Sequence, residues 1–430
     1  MTKYFSFLLL SFSIFGFSQK TDSDYARSVI NQLTSESYAG RGYVDEGMNK
    51  TAEFIAEEFE KFGLKKIGDS YFQEFSMPIN VIKEAKLKIN GKELKYGVDF
   101  LVDPGSKSQS FHSRPIYYFN PNDFVNSLNK ESDFIDFIRT DMLQQKEKHV
   151  VFPPHHFEVD SLNQYYKHWP HFYRPEENRN RAIFHFSKDK LTASLSQTEQ
   201  SFSRFFVNDN FYSDSLNIDD YLIENDFIVS YKTKNIIGLI EGENKDSLIL
   251  ITAHFDHLGK VGNTIFPGAS DNASGTAFLL ELAKYFSQNK PKYSLVFIGF
   301  AAEEAGLVGS KYFVENPLVD LAKIKFLLNF DIMGAGEEGI QIVNSSIFEK
   351  EYALLDQINS EKKYLKQIRK RGEACNSDHC PFYEKGVPSF FTYTLGGPGH
   401  YHDVFDTSES LYLAEFEDLK NLFIEFIQNL

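Results

Sequence analysis

From residue 233 to the end, apolar β-branched runs alternate with helical patterns, and this alternation constrains the fold more than any other feature of the chain. NIIGLIEG, SLILITAHFDH, YSLVFIGFAAEE, KIKFLLNFDIMG and VPSFFTYTL read as strands; TAFLLELAKYFSQN, GSKYFVEN and FEDLKNLFIEFIQNL read as helices. The strands are apolar nearly throughout instead of alternating with polar residues. A strand of that kind is buried on both faces, so helices must cover the sheet above and below. The expected fold is α/β: a central mixed, mostly parallel sheet between two helical layers, with an inserted β-rich region ahead of it. In such sheets ligands bind beyond the carboxyl ends of the strands.

Three of those strand ends carry residues that hold metal ions or protons. His254 follows SLILITA, Glu303 and Glu304 follow LVFIGFAA, and Asp331 follows IKFLLNF. Chance would scatter such groups over helix faces and loops. A charge at Asp331, continuing an apolar run, is costly unless paired or coordinated. Asp271 lies between Gly268 and Gly275 in PGASDNASG, leading into a helix over 276–289. Asp, Asn and Ser all cap helices, but Asn272 or Ser274 can do so here, which frees Asp271 to bridge two ions. The last imidazole comes from PGHYHDVFDT, as either His400 or His402, with Tyr401 between them as a donor to a developing oxyanion. Imidazole nitrogen and carboxylate oxygen without thiolate suit zinc, and manganese or cobalt also accept oxygen-rich sites. Asp256 is spaced to accept the second N–H of His254, and His257 has no assigned role. Glu303 and Glu304 diverge whether the strand continues or turns at AGLVG. One can then bind metal while the other takes a proton from water.

At 430 residues the chain suits one large or two smaller domains. Residues 23–64 read as two helices around a loop with Gly40 and Gly42, the second helix stopped by Gly63. From 81 to 232 short aromatic and β-branched runs dominate. Asn90-Gly91 in KLKINGKELKY marks a hairpin, and NDFVNSLNK and ESDFIDFIRTDMLQQ mark helices. The histidines of this stretch, among them His155, His156, His168 and His171, lack regular ligand spacing and read as surface or rim residues. Residues 1–18 carry Lys3, the apolar FSFLLLSFSIFGF, and small residues at Gly16 and Ser18. They read as a signal peptide of a secreted or periplasmic protein whose mature chain starts at Gln19. The apolar stretch is short for a span and no cysteine follows it, so no membrane anchor is expected after cleavage. A net charge of −15 argues against nucleic acid or anionic membrane as a partner. Cys375 and Cys380 are either free or joined across a short loop.

In chain order, SYAGRGYVDEG, AHFDHLG, PGASDNASG, AAEEAGLVGSKYF, NFDIMG, SDHCPF, GVPS and YHDVFDT resemble the co-catalytic zinc aminopeptidases. That family includes secreted bacterial leucyl aminopeptidases and is related to glutaminyl cyclase. The resemblance covers 20–80 and 233–430, so residues 19–80 and 233–430 are expected to form the zinc peptidase domain. It implies two zinc ions bridged by Asp271, with His254 and Asp331 completing one site and Glu304 and His402 the other. Glu303 matches the general base and Tyr401 the oxyanion-stabilising tyrosine. His402 is preferred to His400 because Asp406-Thr407 stands at the family's offset after it. Asp256, Asp378 and Asp406 are the expected supporting carboxylates. The residues around 375–380 resemble a pocket-lining region that sometimes carries a disulfide. The implied activity is release of N-terminal amino acids from peptide substrates. Alternatives are a single-zinc glutaminyl cyclase, a carboxypeptidase or dipeptidase of the same family, and a non-catalytic ectodomain, which the full ligand set disfavours. The insert 81–232 occupies the place of a protease-associated domain, as a divergent version without its clear signature.

Overall fold

The computed structural model describes residues 24–121, 148–156 and 182–430. The expected signal peptide, the helices read between 122 and 145, and His168 and His171 lie outside the described residues. A ten-stranded sheet organises the chain. Its central strand, Asn244–His254, runs parallel to Tyr293–Phe300 on one side and Ile324–Phe330 on the other. Ser389–Thr394 runs parallel to Ile324–Phe330. The flanks are antiparallel: Ile340–Val343 against Ser389–Thr394, and Ile218–Ile240 against Tyr293–Phe300. The sheet is therefore mixed: four strands run parallel in the middle, and at one edge Ile368–Lys370 runs parallel to Ile340–Val343.

Period-two geometry sends successive side chains of each central strand into different cores. Ile249, Ile251, Leu295, Phe297 and Leu328 face one layer of helices, Asp24–Leu33, Gly47–Phe62, Gly275–Gln288 and Phe416–Asn429. Leu248, Leu250, Val296, Ile298 and Leu327 face the other, Val308–Glu315 and His379–Glu384. Both faces are covered, as the apolar strand pattern requires.

Phe72–Ile89 and Ile218–Ile240 pair along nearly their whole length, from Phe72 opposite Ile236 to Ile89 opposite Ile218. One end of this ribbon is part of the main sheet and the other carries the insert. The expected limits at 80 and 232 thus fall inside unbroken strands, and no linker separates the two regions. The hairpin at Asn90-Gly91 forms, with Ile89 opposite Lys92 and both turn residues at positive φ, as a type I′ turn demands. The insert's own sheet runs Phe100–Val102, Ser203–Asn208, Ala182–Ser187, His149–Phe152, Ile116–Tyr118. It closes over Phe100, Phe184, Phe186 and Phe205, with Tyr221 from the ribbon. Among the described residues no helix is long and apolar enough to cross a membrane.

Candidate metal centre

His254, the last residue of the central strand, points its Nε2 at two carboxylates: Asp271 Oδ1 and Asp331 Oδ2, each at 3.3 Å. His402 Nε2 lies 3.1 Å from Asp271 Oδ2 and 3.0 Å from Glu304 Oε2. The two oxygens of Asp271 therefore face two different groups of donors. His254, Glu303 and Asp331 each offer a ligand atom within 4.8 Å of the others, and so do His257, Asp271, Glu304 and His402. His400 stays outside, with Nδ1 3.4 Å from Asp403, so the structure brings His402 and not His400 to the cluster.

Local structure explains each placement. After Phe300 the chain turns through Ala302 at φ 58°, so Glu303 and Glu304 lie on a turn instead of alternating along a strand. The Asp256 carboxylate holds that turn by accepting the N–H groups of Glu303 at 3.0 Å and Glu304 at 3.2 Å. Its Oδ1 is 3.7 Å from His254 Nδ1, and that ring nitrogen makes its hydrogen bond to the Asp256 carbonyl at 3.3 Å. Nδ1–H donating to a carbonyl leaves the Nε2 lone pair for a cation. Asp331 is steadied by a buried chain: Thr252 to Asn329, Asn329 to Ser377, and Ser377 to Asp331 Oδ2.

The Asp271 loop is fixed from several sides. Asp406 accepts the N–H groups of Ser270 and Asp271. Asn272 Oδ1 accepts Gly275 N–H at 2.9 Å, taking the capping role and leaving the Asp271 side chain to the cluster. Tyr401 stacks on the His402 ring at 3.9 Å while the residue is 46% exposed, placing it at the mouth of the site. Partial burial and the Asp271 and Glu304 carboxylates raise its phenol above the usual value, so it stays a hydrogen-bond donor. Asp378 is fully buried, and desolvation pushes its carboxyl up to about 7. Cys375 and Cys380, whose Cα atoms are 4.9 Å apart, are bridged.

The electrostatics suit a cation. Burial alone would lower the His402 imidazole, yet Glu304 and Asp271 override it and raise the group to about 11. Burial raises Glu303 well above the carboxylate range, opposed by His254 and reinforced by Asp378 and Glu304. His257 Nε2, Asp331 Oδ1 and His402 Nε2 are buried without a hydrogen-bond partner. Such orphans are rare in folded proteins. His402 Nε2 faces the Asp271 and Glu304 carboxylates, and Asp331 lies against His254, an arrangement that fits divalent ions bound by nitrogen and oxygen.

Residues 235–427 match the family model described as Peptidase family M28, and this segment contains every candidate ligand. This segment is thus similar to the peptidases of family M28. Aminopeptidase YwaD of Bacillus subtilis is 30% identical over 162 residues, covering 36% of this chain and 34% of its own. Leupeptin-inactivating enzyme 1 of Streptomyces exfoliatus is 33% identical over 162 residues, with the same coverage of 36% and 34%. The chain thus spans about a third of the length of these curated relatives. Among solved structures, BSAP, a zinc aminopeptidase from Bacillus subtilis, superposes with a TM-score of 0.66 at 19% identity over 94% of both chains. A Peptidase M28 precursor from Shewanella amazonensis gives 0.69 at 14% identity, over 94% of this chain and 92% of its own. These likenesses support the fold of the described residues.

Two residues that serve the M28 domain carried no role from the sequence. His257 is fully buried, with Nδ1 2.7 Å from Glu304 Oε1. Its signal, a second histidine three residues after the first, is weak. Arg41 lies outside the M28 segment and has 0% exposure. Gly40 at φ 61° and Gly42 pack directly on the Gly259 backbone, where any Cβ would collide, and this seats Arg41 beneath the site. Its guanidinium donates to the carbonyls of Phe255, Leu33, Pro267, Gly268 and Asp271. Burial lowers it to about 10 despite Asp406 and Asp271, so it remains charged at neutral pH. Arg41→Met should cost about 3–5 kcal/mol, because it strips a buried carboxylate cluster of its cation and leaves carbonyls unpaired. Urea denaturation checks this, and a loss below about 1 kcal/mol would contradict it.

Proposed function

We propose that the protein is a two-zinc aminopeptidase, releasing N-terminal residues from peptides. The observation that carries this reading is Asp271, one oxygen toward His254 and Asp331 and the other toward His402 and Glu304. A carboxylate shared in this way suits a pair of ions each completed by one histidine and one further carboxylate. The names of the relatives and of the BSAP neighbour support the same activity. When bound, the ions supply Lewis acidity, polarising the scissile carbonyl and lowering the pKa of a water from ~15.7 toward ~7.

The rest of the chemistry belongs to the chain. Glu303, lifted above the usual carboxylate range by burial, accepts the proton of the attacking water and returns it to the leaving amine. Tyr401, kept protonated, donates from the mouth of the site to the oxyanion as it develops. Asp256, Asp406 and Asn329 hold the catalytic and ligand-bearing turns so that little reorganisation accompanies the reaction.

The test is a panel of aminoacyl-nitroanilides beside the same peptides blocked at the amino end, assayed with and without a chelator. Cleavage of the free substrates alone, lost with chelator and regained with zinc, is expected, with close to two ions per chain. Cleavage of blocked peptides from the carboxyl end, or cyclisation of N-terminal glutamine without hydrolysis, would replace this reading with one of its alternatives.

A further inference from the structure

We infer that the insert is a working part of the metal centre: its segment 188–197 positions His402. This rests on the two-ion reading above and explains why an insert of this kind accompanies the site. The segment leaves the insert strand Ala182–Ser187 and lies against the loop that carries His402. His402 Nδ1 is 2.9 Å from the Ala193 carbonyl, and Ala193 N–H donates back to the His402 carbonyl at 3.0 Å. A carbonyl only accepts, so Nδ1 must carry the proton and Nε2 is left free to face Asp271 and Glu304.

Lys190 secures the same loop at three points. Its ammonium pairs with Asp403 at 2.6 Å and donates to the carbonyls of Tyr401 at 3.1 Å and Gly399 at 3.2 Å. Asp403 is buried, while Lys190 is about half exposed. His402 itself has φ 51°, a left-handed conformation that a non-glycine residue keeps only where its surroundings hold it. The reciprocal pair with Ala193 and the Lys190 clamp are such surroundings. Leu191, Ala193 and Leu195 pack with Leu258, Phe266 and Val404, which seals the segment onto the domain. Farther along, Gln197 donates to the carbonyl of Ala305, next to Glu304, at 2.7 Å. One strap from the insert therefore reaches both the imidazole and the carboxylate loop of the same half of the centre.

Lys190 is a positioning residue, and the measurement that isolates it is metal affinity, not turnover. Zinc is titrated into metal-free wild type, Lys190→Ala and Lys190→Arg in competition with a chromophoric chelator, and amide exchange is followed over 399–406 without metal. Lys190→Ala should weaken one ion of the pair about 10- to 100-fold and leave the other unchanged, the scale of losing a group that orients a ligand. Exchange in 399–406 should accelerate, and Lys190→Arg should restore both. Unchanged affinity for both ions overturns the inference even if exchange rises, because the strap would then order the loop without setting the ligand. Equal weakening of both ions also overturns it, by pointing to general loosening. Should wild type bind a single ion, the two-ion reading fails separately. The strap is then judged on that ion: weakening in Lys190→Ala supports it and no change refutes it.

Discussion

Glu303→Ala is expected to keep both ions and lose about 100- to 10,000-fold in kcat/KM, the range that a positioned general base contributes. The argument turns on counting donors. His254, Asp331 and Asp271 Oδ1 make one group, and His402, Glu304 and Asp271 Oδ2 make the other, both complete without Glu303. Glu303 stands beside the first group. Desolvation and the Asp378 and Glu304 carboxylates favour its protonated form, with His254 pulling the other way. A carboxylate so placed takes and returns a proton more readily near neutral pH than an exposed one. Its neighbour Glu304 behaves differently: burial would raise it, but His402 and His257 outweigh burial and hold it down at about 2, as an anion suited to hold a cation. Two adjacent carboxylates are thus split between two tasks by their surroundings. Elemental analysis beside kinetics checks the assignment. Loss of an ion from the variant would make Glu303 a ligand, and turnover within about 10-fold of wild type would remove it from the mechanism.

What could be read from the sequence follows from which signals side chains carry. His254 and Asp331 stand out because each ends an apolar run, and strand direction alone then sends both to one edge of the sheet. Asp271 could be separated from helix capping because Asn272, next to it, is an equally good cap, and Asn272 does accept Gly275 N–H. The support of the site is less legible. Asp256 was expected to serve the His254 ring, but its carboxylate mainly holds the turn of Glu303 and Glu304, a geometry set by Ala302 at positive φ. Nothing in an alanine announces that conformation. The carbonyl of Ala193 that orients His402 would be the same in any residue, and it comes from more than two hundred residues earlier in the chain. Backbone groups have no sequence signature, so the insert's part in the centre appears only in three dimensions. The ribbon was obscured for a related reason. Phe72–Ile89 alternates buried and exposed residues at its two ends but has an unbroken buried run across Ile79–Ile82, where it passes from one core to the other. A change of texture there reads as a boundary although the strand continues.

The second large effect concerns Asp271. Asp271→Ala should remove both ions at the concentrations that saturate wild type, and take activity down by more than the ~10,000-fold upper range for Glu303. Each donor group loses the oxygen it shares, leaving His254 with Asp331 and His402 with Glu304. Two donors hold zinc far less well than three or four, and losing even a partner that merely orients a ligand costs 10- to 100-fold in affinity. The fold should persist, because the loop is tied by groups other than this side chain: Arg41 through the Gly268 carbonyl, Asp406 through Ser270 N–H, and Asn272 through the Phe330 carbonyl. In the metal-free protein Asp271 raises Glu304 and Asp331, but despite burial His254 and His402 hold its own carboxyl well below the usual carboxylate range, so its anion is net favourable in the fold. The metal-free variant should therefore be somewhat less resistant to urea than metal-free wild type at neutral pH, while added zinc protects wild type alone. If Asp271→Ala still takes up two ions and is stabilised by zinc as wild type is, the carboxylate does not bridge, and the centre must be built around His257 or Glu303 instead.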